Sequence, residues 1–174
     1  MTTWASTEST VDIESGTDEA NSERSESFHA LESSADAPRL LVFNAAGRTC
    51  ACELNAVREI IPYRKATRLP GAPAFVSGLI NLRGSIVTVL DLGVRLGGSP
   101  VDAERASIVL AENGGKVVGL AVDELRDVQR VARTGIEPPS ADASYDGLVV
   151  GVLQVAGEIS ILLDVGHIIA DALS

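Results

Sequence analysis

The residue types that most often carry chemistry in proteins are scarce in this chain. Its 174 residues include two cysteines, Cys50 and Cys52, and two histidines, His29 and His167. The cysteines stand one residue apart in a segment predicted to be a strand, so both side chains point to one face. A zinc site needs further ligands at suitable spacing, and neither histidine supplies one. We therefore interpret both thiols as buried apolar residues and predict no metal site and no cofactor.

Catalysis is not indicated by the remaining residues. A nucleophile needs a base within reach, and the two histidines lie far apart in the sequence. The chain also has no glycine-rich phosphate loop followed by Lys and Ser or Thr. We interpret the chain as a non-enzyme.

The charge balance argues against two classes of partner. The formal net charge of -10 opposes attraction both to phosphate backbones and to anionic membrane surfaces. No apolar run reaches the roughly 18 to 20 residues that a membrane span requires, and the N-terminus lacks the basic and apolar regions of a signal peptide. The sequence predicts a cytoplasmic protein that neither binds nucleic acid nor inserts into a membrane.

Residues 1–37 differ in composition from the rest of the chain. They are dominated by Ser, Thr, Glu, Asp and Ala, and they hold nine acidic residues against one basic residue, Arg24. Few large apolar side chains are present to offset the entropy lost on ordering. We predict a disordered acidic tail over residues 1–37, followed by one folded domain over residues 38–174.

From Arg39 onward, apolar runs of four to eight residues alternate with Gly, Asn, Asp and Pro, which is typical of an all-β domain. Glycines at the ends of these runs supply the turns, because glycine adopts positive φ without steric cost. The predicted strands are Leu40–Phe43, Thr49–Leu54, Gly78–Leu82, Ile86–Leu90, Ser107–Ala111, Val117–Val122, Leu148–Val155 and Ile159–Leu163.

The folded domain contains an internal repeat. A shift of 68 residues places Asn55–Ile60 on Asp123–Val128, and a shift of 73 places Gly78–Asp91 on Gly151–Asp164. A repeat of this length predicts two similar subdomains, each with a hairpin, a short helical turn carrying an Arg-acid pair, a second hairpin and a capped helix. We interpret them as two small β-barrels that share one core.

Several charged residues recur in both halves and are interpreted structurally. Asp91 and Asp164 each follow an apolar strand and precede a helix-compatible stretch, where a carboxylate can accept hydrogen bonds from free backbone N–H groups. The neighbours Arg58-Glu59 and Arg126-Asp127 are interpreted as surface ion pairs of small energetic worth.

Arg83 breaks the repeat. The first half turns through Asn81-Leu82-Arg83-Gly84, whereas the second half turns through Gln154-Val155-Ala156-Gly157, so the shared fold does not require the arginine. A guanidinium on a tight turn offers a rigid fork of donors to a carboxylate or to backbone carbonyls of a partner. A solvated turn residue is the alternative, and the sequence leaves both open.

The segment after the first helical turn is unusually apolar. Val57, Ile60 and Ile61 precede Pro62 and Tyr63, and they cannot all face inward. Some of them are expected to line a surface groove suited to an amphipathic helix of another protein. Core packing is the alternative for Val57 and Ile60 individually.

These residues resemble the signature of CheW-like domains. The resemblance lies in Ala72–Leu92 at the centre, Val57–Ile61 upstream and Val118–Asp123 downstream, and it extends over about residues 38 to 172. It implies an all-β fold of two five-stranded SH3-like barrels. It also implies an adaptor that links the cytoplasmic tips of chemoreceptors, at membrane-associated receptor arrays, to the regulatory domain of the histidine kinase CheA.

The resemblance assigns expected contacts to particular residues. The receptor-binding positions that it implies are Val57, Ile60, Ile61, Asn81 and Arg83. For the kinase it implies only contacts at the barrel ends, and the candidate surface is the connector Gly135–Pro139, with Ile136 and Glu137 as candidate residues. The acidic tail keeps an alternative open, in which a CheW-like regulator of a separate pathway competes for receptor or kinase sites without activating the kinase.

Overall fold

The computed structural model describes residues 37–174. Apart from its last residue, the tail predicted for residues 1–37 lies outside the described residues. The eight predicted strands are confirmed, and the described part of the chain contains three further strands, which begin at Val57, Glu124 and Ile136. The strands are β1 Arg39–Ala45, β2 Arg48–Glu53, β3 Val57–Pro62, β4 Val76–Leu82, β5 Ser85–Asp91, β6 Ser107–Asn113, β7 Lys116–Val122, β8 Glu124–Arg130, β9 Ile136–Glu137, β10 Val149–Val155 and β11 Glu158–Leu163.

Short helices connect or follow these strands. Three are 3-10 turns, at Leu54–Ala56, Arg133–Gly135 and Ala141–Ala143. Two are α-helices, α1 at Leu92–Arg95 and α2 at Val165–Ala172. No helix among residues 37–174 is both long enough and apolar enough to cross a membrane.

The strands form two sheets. The six-stranded sheet has the order β8-β1-β2-β11-β10-β9, and the five-stranded sheet has the order β3-β6-β7-β5-β4. Each sheet contains one parallel pair, β2 with β11 and β5 with β7, and its other pairs are antiparallel. This all-β architecture of two SH3-like subdomains agrees with the predicted fold class.

Each subdomain is assembled from both halves of the repeat. The opening hairpin of the first half, β1-β2, pairs with β8 and β11 of the second half. The opening hairpin of the second half, β6-β7, pairs with β3 and β5 of the first half. The sequence-based interpretation assigned one barrel to each half, and the observed topology corrects it by exchanging the two opening hairpins.

Three hydrophobic clusters hold the described domain together. One cluster lies inside the five-stranded sheet and contains Ile61, Val87 and Leu110. A second lies inside the six-stranded sheet and includes Leu40 and Leu153. The largest cluster contains residues of both sheets and both α-helices, so the two subdomains share one core, as the repeat predicted. Burial of its Leu, Ile and Val side chains contributes roughly 1.5 to 3 kcal/mol each.

The predicted aspartate caps are confirmed. An Asp91 side-chain oxygen accepts a hydrogen bond from the Val94 N–H at 3.1 Å, and Asp164 accepts one from the His167 N–H at 3.0 Å. Each carboxylate satisfies a backbone donor at the start of an α-helix. The predicted helical turn carrying an Arg-acid pair is wrong, because Arg58 and Glu59 lie in β3 and their counterparts lie in β8.

Both cysteines are buried, as predicted. Cys50 and Cys52 are fully inaccessible to solvent and belong to the shared core. Desolvation raises the pKa of each thiol to about 12. Because the thiolate is the reactive form, these residues act as small apolar side chains.

Candidate functional site

Arg83 lies on a two-residue hairpin turn between β4 and β5. Leu82 pairs with Ser85, and Arg83 and Gly84 between them have φ values of 52° and 86°. Two consecutive left-handed residues form the turn type that matches the twist of a hairpin. The Asn81 Oδ1 atom accepts a hydrogen bond from the Gly84 N–H at 2.9 Å and so stabilises this turn.

The equivalent turn of the other subdomain has the same backbone without the arginine. Ala156 and Gly157 have φ values of 50° and 83°, close to those of Arg83 and Gly84. The turn geometry therefore does not require an arginine side chain. The presence of an arginine at position 83 must therefore be explained by the contacts of its guanidinium.

The guanidinium of Arg83 forms a bidentate pair with Glu59 of β3. Nη1 donates to Oε2 at 2.9 Å and Nη2 donates to Oε1 at 2.5 Å. The hydrogen bonds from Arg83 hold the pKa of the Glu59 carboxyl below its usual range, and the same contact raises the pKa of Arg83. The pair joins the two edges of the five-stranded sheet, because Glu59 lies on one edge strand, β3, and Arg83 lies on the turn that follows the other edge strand, β4.

This ion pair lies in an open groove of about 530 Å³ at one end of the five-stranded sheet. The lining combines charged groups with apolar side chains, two of which, Val87 and Leu110, belong to the cluster inside this sheet. The Ile86 side chain is 64% exposed. The groove is lined by Arg58, Glu59, Leu82, Arg83, Ser85, Ile86, Val87, Leu110, Gly115 and Val117.

The predicted pairing of Arg58 with Glu59 is wrong. Each of these two side chains has another partner. Arg58 pairs with Glu112 at 3.5 Å, while Glu59 pairs with Arg83. The other predicted pair is also wrong, because Arg126 contacts Glu158 rather than Asp127.

The structure does not bring the five predicted receptor-binding residues into one groove. Only Arg83 lines the groove defined above. Ile60 is 40% exposed and points to the opposite face of β3 from Glu59, while Val57 packs against the shared core. Asn81 is exposed next to the turn and uses its side-chain oxygen there. Ile61 is 6% exposed and belongs to the cluster inside the sheet.

Glu59 is the site residue that sequence reasoning missed. It had been paired with its neighbour because the segment was predicted to be a helical turn. In a strand, Glu59 points to the same face as Ile61. At this position it lines the groove at the end of the sheet. Treating Val57–Pro62 as an edge strand would have placed it correctly.

The candidate kinase-binding residues lie on the other sheet. Ile136 and Glu137 form β9, which pairs with Leu153 and Val152 of β10. Ile136 packs against the cluster inside the six-stranded sheet. Glu137 lines a second groove of about 480 Å³, together with Val131, Gly135, Val152, Leu153, Gln154 and Ile159.

Within residues 37–174 no three His, Cys, Asp or Glu side chains come together as a possible metal site.

Comparison with known families gives one match over the described domain. The family model described as "CheW-like domain" matches residues 39–173. The match includes both sheets, both α-helices and the Arg83 turn.

Individual relatives agree with this match. The chain is 33% identical over 132 residues to a protein named "Chemotaxis protein CheW" from Rhizobium meliloti (strain 1021), which covers 74% of this chain and 85% of the relative. It is 38% identical over 100 residues to a "Probable chemotaxis protein CheW" from Rhizobium etli, which covers 57% and 64%. Among solved structures, it is similar to the scaffolding protein TtCheW from Thermoanaerobacter tengcongensis, with a TM-score of 0.68, 27% identity and coverage of 74% and 90%.

Proposed function

Because this chain belongs to the CheW-like domain family, we propose that it is an adaptor that couples chemoreceptors to the histidine kinase CheA. A family match over residues 39–173 supports this role, together with relatives named for chemotaxis and a neighbour named as a scaffolding protein. The adaptor acts in the cytoplasm, recruited to membrane-associated receptor arrays, and needs no cofactor. Its two partners are the cytoplasmic tip of the receptor and the regulatory domain of CheA.

The observation that carries the receptor-binding proposal is the arginine at position 83. Its backbone conformation is the same as that of Ala156 in the other subdomain, so the fold is satisfied without it. Its side chain is 72% exposed and is held by Glu59 at the edge of an open groove. An amphipathic receptor helix that lays its apolar face on Ile86 and the groove floor would bring its backbone and polar atoms to Arg83.

The other exposed candidates flank this groove. Ile60 offers an apolar side chain on the outer face of β3, and Asn81 supports the turn. For the kinase, we propose the second groove, where Glu137 of β9 and the 72% exposed Ile159 of β11 lie on the two strands that flank β10. This location leaves the receptor groove on the other sheet free, so one molecule can contact both partners.

CheA autophosphorylation in the presence of membrane-bound receptor tests the proposal. The comparison is between no adaptor, the intact protein and the Arg83→Ala variant. We expect the intact protein to raise kinase activity, and we expect Arg83→Ala to lose most of that activation while it keeps its thermal stability. The Ala156 turn shows that alanine is tolerated in this backbone conformation.

The Arg126→Ala variant is a matched control. It removes an arginine from the ion pair of the six-stranded sheet, outside the receptor groove. It should therefore keep activation close to that of the intact protein. Inhibition by the intact protein, or no effect, would contradict the adaptor role and favour a regulator that competes for receptor or kinase sites. A stability loss of about 2 kcal/mol or more in Arg83→Ala, as in a core truncation, would contradict the surface role of this residue.

A further inference from the structure

We propose that the receptor group that meets Arg83 is an uncharged acceptor, a carbonyl oxygen, rather than a carboxylate. This inference rests on the proposed receptor-binding function. It chooses between the two partner groups that the arginine alone leaves open. The choice follows from the charges and donors that the protein itself places in the groove.

The donors of Arg83 are already partly used. A guanidinium has five N–H donors and no acceptor. Two of them, one on Nη1 and one on Nη2, donate to the two oxygens of Glu59. The remaining donors, the Nε–H and one N–H on each Nη, are those that a partner can still reach. They can donate to a carbonyl oxygen or, through the Nε/Nη2 edge, to a carboxylate, so the free donors alone do not choose between these two partner groups.

The charge of Arg83 is also neutralised. An incoming carboxylate would approach Glu59 as well as Arg83, and the repulsion from Glu59 would offset the attraction to the guanidinium. It would also lose its hydration when the groove is covered, which is costly for an ion without a free counter-charge. A carbonyl oxygen gains a charge-assisted hydrogen bond without either cost.

The rest of the groove lining also lacks an unpaired charge. Arg58, the only other charged residue in its lining, has its own partner in Glu112 at 3.5 Å. The remaining lining residues are apolar or small, including Leu82, Ile86 and Val117. A receptor helix that fits this surface presents apolar side chains to the floor and neutral acceptors to Arg83. The sequence class expected at the contact is therefore apolar with Asn, Gln or an exposed backbone carbonyl.

The two partner chemistries predict opposite effects of Glu59→Gln. If the receptor offers a carbonyl, Glu59 only orients Arg83, and its removal weakens binding by about fivefold, because the guanidinium is no longer held in one orientation. If the receptor offers a carboxylate, Glu59 competes with it, and its removal strengthens binding. The affinity of the full chain for a soluble cytoplasmic fragment of the chemoreceptor from the same organism, measured by calorimetry, distinguishes the two.

Glu158→Gln is the matched control. It removes the same charge from the pair with Arg126 on the other sheet, so the net charge of the two variants is equal. We expect Glu158→Gln to leave receptor affinity unchanged. Thermal unfolding of both variants checks that neither effect reflects loss of fold, and the NMR signal of the Arg83 Nε–H reports whether the guanidinium has lost its orientation.

Salt dependence gives an independent readout. A contact between the neutral pair and a carbonyl predicts that the ratio of the affinities of the intact protein and Arg83→Ala changes less than about twofold between about 0.05 and 0.5 M salt, because this contact contains no net charge to be screened. Tighter binding by Glu59→Gln, unchanged binding, or a ratio that falls steeply with salt would each overturn the inference while leaving the adaptor role intact. Absence of receptor binding by the intact protein would instead overturn the proposed function on which the inference rests.

Discussion

The ion pair at the candidate site contributes more to the orientation of the Arg83 guanidinium than to the stability of the fold. The Glu59–Arg83 pair is largely exposed on the arginine side, and an exposed ion pair contributes little to the free energy of unfolding. Its bidentate geometry nevertheless fixes the plane of the guanidinium. The other subdomain also has an ion pair between an edge strand and the closing hairpin, with opposite polarity and at neighbouring rather than equivalent positions, since the edge strand contributes Arg126 and the hairpin contributes Glu158. The two subdomains therefore present different charges from the same fold.

The pH dependence of the Glu59–Arg83 pair follows from the lowered pKa of Glu59. A carboxyl whose folded-state pKa is depressed stabilises the fold above its unfolded pKa, and this contribution disappears as the pH falls through the folded value. We expect an NMR pH titration to give Glu59 a pKa below the usual range for Glu, because its carboxylate accepts hydrogen bonds from Arg83. In Arg83→Ala its pKa should return toward the usual range for Glu. An unchanged midpoint would show that Arg83 does not cause the shift.

Ser160 is a polar residue in an apolar position. It is fully buried, its Oγ has no hydrogen-bond partner among the described residues, and its counterpart in the repeat is Val87. A buried unpaired hydroxyl costs about 1 to 3 kcal/mol. We therefore expect Ser160→Val to raise the free energy of unfolding by about 1 kcal/mol or more, measured by urea denaturation. The reciprocal change, Val87→Ser, should lower it; stabilisation by both or by neither would contradict this explanation.

At the scale of elements, the sequence predicts correctly those strands in which burial produces a regular pattern of apolar residues. The eight predicted strands have buried residues either in runs, such as Leu41 to Phe43 in β1, or at alternate positions, as in β4. The edge strands β3 and β8 were missed because their side chains are mostly exposed or half-buried, with charged residues among them. This is how edge strands avoid pairing with other chains, and it removes the apolar signal on which strand prediction depends. Glu59 was misassigned together with its strand, so the candidate site was predicted only in part.

Gly78 marks a position where two elements approach too closely for a side chain. Its φ is 137°, and a Cβ atom there would lie 2.1 Å from the Thr67 carbonyl oxygen. The clash is with backbone, which the Thr67–Leu79 hydrogen bonds hold at 2.8 and 2.9 Å. We expect Gly78→Ala to destabilise the protein by about 3 kcal/mol or more, in the range of the severest single substitutions.

Gly157→Ala serves as the comparison for Gly78→Ala. Gly157 also has positive φ, at 83°, but a Cβ atom there meets nothing within 4 Å. Only the backbone strain remains, which costs about 1 to 2 kcal/mol. Chemical denaturation of both variants measures the difference. Equal losses would show that backbone conformation, rather than the contact with Thr67, determines the requirement for glycine at position 78.

At the scale of the molecule, the repeat predicts two barrels but not which strands build them. The two halves have similar sequences, so a hairpin finds a similar partner in its own half and in the other. The pattern of apolar residues is the same in both arrangements, which is why the exchange of opening hairpins was not predictable from it. In the structure the exchange is seen directly, since β1-β2 lies between β8 and β11.

The exchange of hairpins predicts that neither half of the domain folds alone. In residues 37–105 the hairpin β1-β2 lacks both of its neighbouring strands, and β4-β5 lacks β7. An isolated hairpin is at best marginally stable in water. We expect residues 37–105 and residues 106–174, prepared as separate chains, to give poorly dispersed NMR spectra and no cooperative unfolding. When they are mixed in equal amounts, each supplies the missing strands of the other, and the spectrum of the intact domain should appear. Cooperative folding of either half alone would show that its opening hairpin can pair locally, and that the exchange is not needed to bury the core.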